Sequence, residues 1–202
     1  SKLNVKNKKK LKIEFEEEIE LEKMVTVEIN GIIAQPSDKV WKLLKEFEDV
    51  SKYHPQIKFS EVIHHQNTHV VGTERECVYY NGNILHERLV FIDDDMKIMK
   101  FEMISSTFSL KKLSVTIEVK ELTIWSSDIF FTIEYASNFL PIRWIVDSFI
   151  MKPEITRAYL DLIRAMDAHL STGCEIEEGF KLGNRIRSIS RSFSSISNEY
   201  YK

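Results

Sequence analysis

The chain has 202 residues, of which 43% are hydrophobic and 29% are charged, and its formal net charge is −3. This length suits one domain of ordinary size and is short for two. The charge gives no general reason to bind nucleic acid, because such binding depends on Lys and Arg neutralising phosphates. No apolar run approaches the length of a membrane span.

Both ends of the chain differ in composition from the middle. Residues 1–23 run from a Lys block into a Glu block and are predicted to form a charged extension. Residues 174–202 form a Ser/Arg-rich tail, for which a disordered extension is favoured over a segment that contacts a membrane surface or a partner protein. Because the chain begins at Ser1 without a Met, loss of a targeting segment stays an open alternative.

The two cysteines, Cys77 and Cys174, lie far apart in the sequence and have no metal-ligand spacing. This pattern favours reduced thiols and therefore a cytoplasmic compartment. No metal ion and no cofactor are expected.

The middle of the chain, residues 24–173, has the periodicity of a packed domain. Its first segment, "MVTVEINGIIA", alternates apolar and polar residues like a half-buried strand, and Pro36 and Ser37 then open a short amphipathic helix. About six strand-like runs follow, separated by short turn-rich pieces such as "NG" and "DDD". Pro153 begins a long helix with one apolar face, and Gly173 ends it.

This order of elements predicts an α+β domain. Short connections favour antiparallel neighbours, and one face of the sheet must be covered by the long helix because no other element is available to bury it. We therefore expect a curved antiparallel sheet of about seven strands wrapped around the C-terminal helix. The space between sheet and helix is the candidate site.

The charges on either side of Asn81 indicate how two of these strands pair. A two-residue turn at Asn81-Gly82 would place Arg75 opposite Arg88, and like charges in that position destabilise a sheet. A three-residue loop with Gly82 in the left-handed region shifts the register by one residue and places Arg75 opposite Glu87. The charge pattern therefore predicts the three-residue loop.

In this register Arg75 and Glu87 lie on the apolar face of the sheet. A buried ion pair is weak evidence for stability, because the cost of desolvation can exceed the Coulombic attraction. Two interpretations follow. The pair either orients a ligand or acts in acid/base chemistry, or it lies half solvated near the sheet edge and only fixes the register.

The segments "IIAQPSDKVWKLLKEF", "YHPQI", "VGTERECV" and "HERLVFIDDD", with an aromatic strand and the closing long helix, resemble the START-like superfamily, also called Bet v 1-like or helix-grip. Within it the chain is most similar to the polyketide cyclase/dehydrase and lipid transport group. The resemblance covers about residues 25–172. It implies a large apolar cavity that binds hydrophobic small molecules and in some members catalyses reactions on them.

The resemblance also implies site residues. Arg75 and Glu87 match an Arg and a Glu that line the cavity in similar proteins, and Lys58 matches a Lys that anchors a ligand carboxylate in the hormone receptors of the group. The gate loop of those receptors is reduced here to "YYNGN", which argues against hormone reception of that kind. The full set of residues expected to contact a ligand is Lys58, Arg75, Cys77, Tyr79, Glu87, Leu89, Met99, Phe101, Phe131, Tyr135, Tyr159, Leu162 and Met166.

Three functions are consistent with these observations. The leading one is binding or transport of a lipid-like or polyketide-like molecule. The second is an enzyme of the cyclase, dehydrase or isomerase kind, in which Glu87 is the general acid/base and Arg75 stabilises an enolate-like oxyanion. The third is an interaction platform whose charged ends bind partner proteins.

Overall fold

The computed structural model of the protein describes residues 24–64, 70–137 and 150–180. The predicted extension at residues 1–23 and most of the predicted tail lie outside these ranges, so their suggested partner contacts stay predictions. None of the described helices is long and apolar enough to cross a membrane. In chain order the elements are β1 (Val25–Ile33), α1 (Ser37–Lys45), a 3-10 turn (Phe47–Asp49), α2 (Val50–Tyr53), β2 (Ile57–His64), β3 (Glu74–Tyr79), β4 (Ile84–Asp93), β5 (Ile98–Ser106), β6 (Leu110–Thr123), β7 (Ser126–Ser137) and α3 (Lys152–Thr172).

The seven strands form one sheet in the order β1-β7-β6-β5-β4-β3-β2, and every neighbouring pair is antiparallel. Strands β2 to β7 follow one another both in the chain and in the sheet, as the short connections required. Strand β1 returns to pair with β7. The predicted α+β class, the strand number and the antiparallel arrangement are therefore confirmed.

Helix α3 packs across β1, where the two backbones approach closely. It buries the face that contains Leu162, Ile163 and Met166. A Cβ atom at Gly31 of β1 would lie 3.2 Å from two side-chain atoms of Ile163, so the absence of a side chain at Gly31 sets how near the helix can come. At its end, Gly173 has φ +69° and donates its N–H to the carbonyl of His169.

The β3–β4 turn has the predicted three-residue geometry. Gly82 has φ +84°, and the N–H of Tyr79 donates to the carbonyl oxygen of Asn83 at 2.8 Å. Arg75 consequently pairs with Glu87 in the register, not with a second cation.

The packed domain extends beyond Gly173, where the sequence placed its end. Ile176 is only 6% exposed and packs against Ala165 and Ala168 of α3. Its N–H donates to the carbonyl of Lys52 at 2.8 Å. Residues 174–180 therefore pack against the domain, because Ile176 and Phe180 form a small apolar cluster with Ala165 and Ala168 of α3.

Candidate ligand-binding site

The ion pair between β3 and β4 is buried, since Arg75 and Glu87 are each 7% exposed. The Nε of Arg75 donates to Oε1 of Glu87 at 2.9 Å, and Nη2 donates to the same oxygen. The remaining nitrogen, Nη1, donates to the carbonyl of Phe47 at 2.8 Å. The alternative that placed the pair half solvated at a sheet edge is therefore wrong.

Aromatic rings hold the guanidinium of Arg75 in place. Its central carbon lies 4.1 Å from the ring centroid of Phe47 and 5.3 Å from that of Phe101, and the two rings stack on each other. Burial is the largest single influence on Arg75 and lowers its pKa, but the neighbouring groups, led by the charge of Glu87, together raise the pKa above its ordinary value. Arg75 is therefore a permanent cation whose three nitrogens already have acceptors.

Other polar atoms at the site lack protein partners. Among the described residues, Oε2 of Glu87 and the hydroxyls of Tyr53, Tyr79 and Tyr159 make no hydrogen bond, and none of these atoms is fully enclosed. Burial raises the pKa of all three tyrosines, so their hydroxyls stay protonated at neutral pH. The site thus presents one carboxylate oxygen and three neutral hydroxyls.

The four residues that carry these atoms line an inner cavity of about 100 Å³ between the sheet, the α1–α2 segment and α3. Nine of the residues predicted from the sequence line it: Arg75, Tyr79, Glu87, Met99, Phe101, Phe131, Tyr159, Leu162 and Met166. Apart from these polar residues and His54, the lining is hydrophobic. A few oriented polar groups in an apolar wall are typical of a small-molecule site.

An outer cleft of about 580 Å³ lies next to the inner cavity. The β3–β4 turn, the segment between β5 and β6, the first turns of α3 and residues 178–179 border it. The ring of Phe108 meets the ring of Tyr79 edge-on at 4.9 Å on this side. The two compartments are adjacent, because four side chains line both: Tyr79, Leu85, Leu113 and Tyr159.

Lys58 is a correction to the predicted site. Its side chain is exposed and does not line the cavity. Ile57 immediately before it is buried, and strand alternation therefore directs Lys58 to solvent. A β-bulge between Ile57 and Phe59 interrupts the pairing at this point and leaves Phe59 exposed as well. The anchoring lysine implied by the resemblance is absent from the cavity.

Cys77, Leu89 and Tyr135 are also corrections, since they are buried but do not line the inner cavity. The thiol of Cys77 packs 4.0 Å from Oε1 of Glu87, and burial raises its pKa to about 12. Leu89 borders a separate void of about 10 Å³ beyond Phe101. Tyr135 has no exposed surface at all. All three have the right strand parity, but none of them borders the inner cavity.

The sequence interpretation missed the end of the cavity that the α1–α2 segment closes. Leu44, Val50, Tyr53, His54 and Ile57 line the cavity there. Val50 and Tyr53 follow the apolar face of α1 at three-residue intervals, which was a usable signal.

His54 was interpreted as a structural residue, yet it borders the cavity. Burial, together with the positive charge of Arg75, lowers its pKa to about 3. Its Nδ1 accepts a hydrogen bond from the N–H of Gln56 at 3.2 Å. The imidazole is therefore neutral at physiological pH, with its proton on Nε2.

Comparison with known proteins agrees with this architecture. A model of the family described as polyketide cyclase/dehydrase and lipid transport matches residues 24–170. The abscisic acid receptor PYL2 of Arabidopsis thaliana is 28% identical over 92 residues, which span 44% of this chain and 47% of the receptor, about half of its length.

Solved structures share the fold at low sequence identity. The Zhui aromatase/cyclase of a Streptomyces species has a TM-score of 0.60 and 14% identity, over 73% of this chain and 94% of that protein. A START superfamily protein of Mycobacterium smegmatis has a TM-score of 0.61 and 11% identity, over 72% and 97%. The ginseng (Panax ginseng) major latex-like protein 151 has a TM-score of 0.58 and 16% identity, over 73% and 97%.

The family match covers most of the chain and coincides with the seven-stranded sheet and its closing helix. Proteins of this family bind hydrophobic small molecules or act on them. The chain belongs to the polyketide cyclase/dehydrase and lipid transport family, and it shares its fold with a START superfamily protein.

Proposed function

We propose that this protein binds a hydrophobic small molecule that occupies both the inner cavity and the outer cleft. The observation that carries the proposal is the set of unpaired polar atoms, led by Oε2 of Glu87, facing an inner cavity that adjoins the larger cleft. In an apolar wall such atoms can hydrogen-bond only to water or to a bound molecule. A bound molecule with a polar end would satisfy them.

The volumes indicate how such a molecule would lie. The inner cavity of about 100 Å³ is smaller than the roughly 300–1,000 Å³ of ordinary ligand pockets. It is therefore suited to the polar end of a ligand. The outer cleft, at about 580 Å³, is large enough for an apolar body. The four side chains common to both compartments would contact the junction between the two parts.

The first test is native mass spectrometry of the protein purified from its own cells, followed by extraction and identification of any bound molecule. We expect a discrete bound species. A bulky side chain at Ala158, which lines the outer cleft, should reduce its occupancy at least tenfold in Ala158→Trp. Arg157→Trp is the matched control, because Arg157 is exposed, does not line that cleft and precedes Ala158 directly in α3. An empty protein, or equal occupancy in both variants, would contradict the proposal.

A catalytic role of Glu87 is the second candidate. The unpaired Oε2, in a cavity with three tyrosine hydroxyls, supports a proton-transferring carboxylate. The proposed oxyanion role of Arg75 has less support, because Glu87 already balances its charge and three of its five N–H groups donate to Glu87 and Phe47. Once the bound molecule is identified, its conversion should fall at least a hundredfold in Glu87→Gln. Turnover unchanged in that variant would leave binding as the function.

A further inference from the structure

The bound molecule's polar end can be specified further from the charges that surround it. We propose that the site selects a ligand whose polar end is an uncharged hydroxyl group, an alcohol or a phenol, and discriminates against carboxylates. This inference rests on the proposed binding function and names the ligand class for the same cavity.

The first argument is the balance of charge in the inner cavity. Arg75 is the basic side chain among the described residues that line it, and the carboxylate of Glu87 neutralises Arg75 at contact distance. His54 is neutral, and Lys58 lies outside. A carboxylate entering this cavity would lose its hydration without gaining an unpaired cation, which disfavours a buried anion.

The second argument comes from the outer cleft. Its described lining contains Glu154 and Glu178 but no Lys or Arg. An anionic ligand would therefore pass acidic side chains before it reached the inner cavity. Both compartments thus have the same electrostatic preference, against negative charge.

The third argument is the hydrogen-bonding pattern. Oε2 of Glu87 can only accept, whereas the hydroxyls of Tyr79 and Tyr159 can donate or accept. A ligand hydroxyl can donate to Oε2 and accept from a tyrosine at the same time. A carbonyl group can accept a hydrogen bond from a tyrosine but has no proton to donate to Oε2. A carboxylate lacks that proton as well, and its negative charge is repelled by Glu87. The hydroxyl is therefore the group that can donate to Oε2 of Glu87 and accept from a tyrosine together.

The test compares 1-octanol with octanoate, which share one chain length and differ in the polar end. Isothermal titration calorimetry at pH 8 keeps octanoate ionised. We expect 1-octanol to bind the full-length protein at least tenfold more tightly than octanoate. In Glu87→Gln, Arg75 loses its counter-charge, so the preference should shift by at least tenfold toward octanoate.

Glu74→Gln is the matched control for Glu87→Gln. Glu74 pairs with Arg88 on the opposite face of the same two strands and does not line the cavity. This variant should keep the preference for 1-octanol. Tyr159→Phe provides a second variant if Glu87→Gln folds poorly, since it removes one cavity hydroxyl and should weaken 1-octanol several-fold; an unchanged affinity for 1-octanol would count against the inference.

The outcomes separate this inference from the proposed function. Octanoate binding as tightly as 1-octanol would overturn the inference, while a co-purified ligand would still support binding. The same shift in Glu74→Gln as in Glu87→Gln would also overturn it, because the effect would not come from the cavity. If neither probe binds, the inference fails, and the proposed function is then judged on the co-purified molecule alone.

Discussion

Removing the cation of the buried pair should be costly at neutral pH and less costly in acid. In Arg75→Met the aliphatic part of the side chain is kept, but Glu87 remains at 7% exposure without a counter-charge. Breaking a buried pair in this way typically destabilises a protein by about 3–5 kcal/mol. The hydrogen bond to the carbonyl of Phe47 is lost as well, at about 1 kcal/mol.

The cost should depend on pH, because the unpaired carboxylate of Glu87 loses its charge when it takes up a proton. Protonating a carboxyl group of ordinary acidity costs about 4 kcal/mol at pH 7.5 and about 1.6 kcal/mol at pH 5.5. The folded variant then holds a proton that the unfolded chain releases, so its stability falls as the pH rises. We therefore expect Arg75→Met to cost about 4–6 kcal/mol at pH 7.5 and about 2–3 kcal/mol less at pH 5.5.

Urea unfolding followed by far-ultraviolet circular dichroism at the two pH values measures this difference relative to the unmodified protein. Arg88→Met is the control, because the Arg88 side chain is 48% exposed and its pair with Glu74 lies on the outer face. That variant should cost under about 1 kcal/mol at both pH values. The double variant Arg75→Met with Glu87→Leu should recover most of the lost stability. A cost for Arg75→Met that is under 1 kcal/mol, or equal at the two pH values, would refute the reasoning.

Three further predictions concern other parts of the fold. Because burial raises the pKa of Cys77 and encloses its thiol, a thiol reagent should label Cys174 alone in the native protein and both cysteines after unfolding; two reactive thiols in the native state would contradict the packing. The pKa of His54 is about 3 in the folded protein, so as the pH falls below about 6.5 the unfolded chain binds a proton that the folded protein does not. Stability should therefore decline as the pH falls from about 6.5 to 3, by at most about 1.4 kcal/mol per pH unit from this group. His54→Gln should reduce that slope in pH-dependent unfolding curves, and an unchanged slope would exclude the effect. Gly31→Val should destabilise by about 1–3 kcal/mol through overpacking, and Ile163→Ala in the same chain should reduce the penalty, as a double-mutant cycle by urea unfolding would measure.

The sequence by itself determined the architecture and the pairing at the site. Pro153 and Gly173 mark the ends of the long helix, because each permits a backbone geometry that interrupts or caps a helix. The like charges that a two-residue turn would oppose were enough to fix the register of Arg75 with Glu87. These features depend on local conformation and on nearest neighbours, which a sequence displays directly.

Only the tertiary structure decided which inward side chains face open space. Strand parity places Cys77 and Tyr79 on the same face, yet Tyr79 borders the cavity and Cys77 is packed behind Glu87. The alternation of side chains along a strand distinguishes those that point inward from those that point outward. Whether an inward side chain borders a void depends on how the α1–α2 segment and α3 are positioned over the sheet. The unpaired oxygen of Glu87 also depends on the tertiary structure. Arg75 donates twice to Oε1, and this geometry leaves Oε2 without a partner. Long-range packing, which no local pattern encodes, therefore creates the site within a fold that the sequence already specifies.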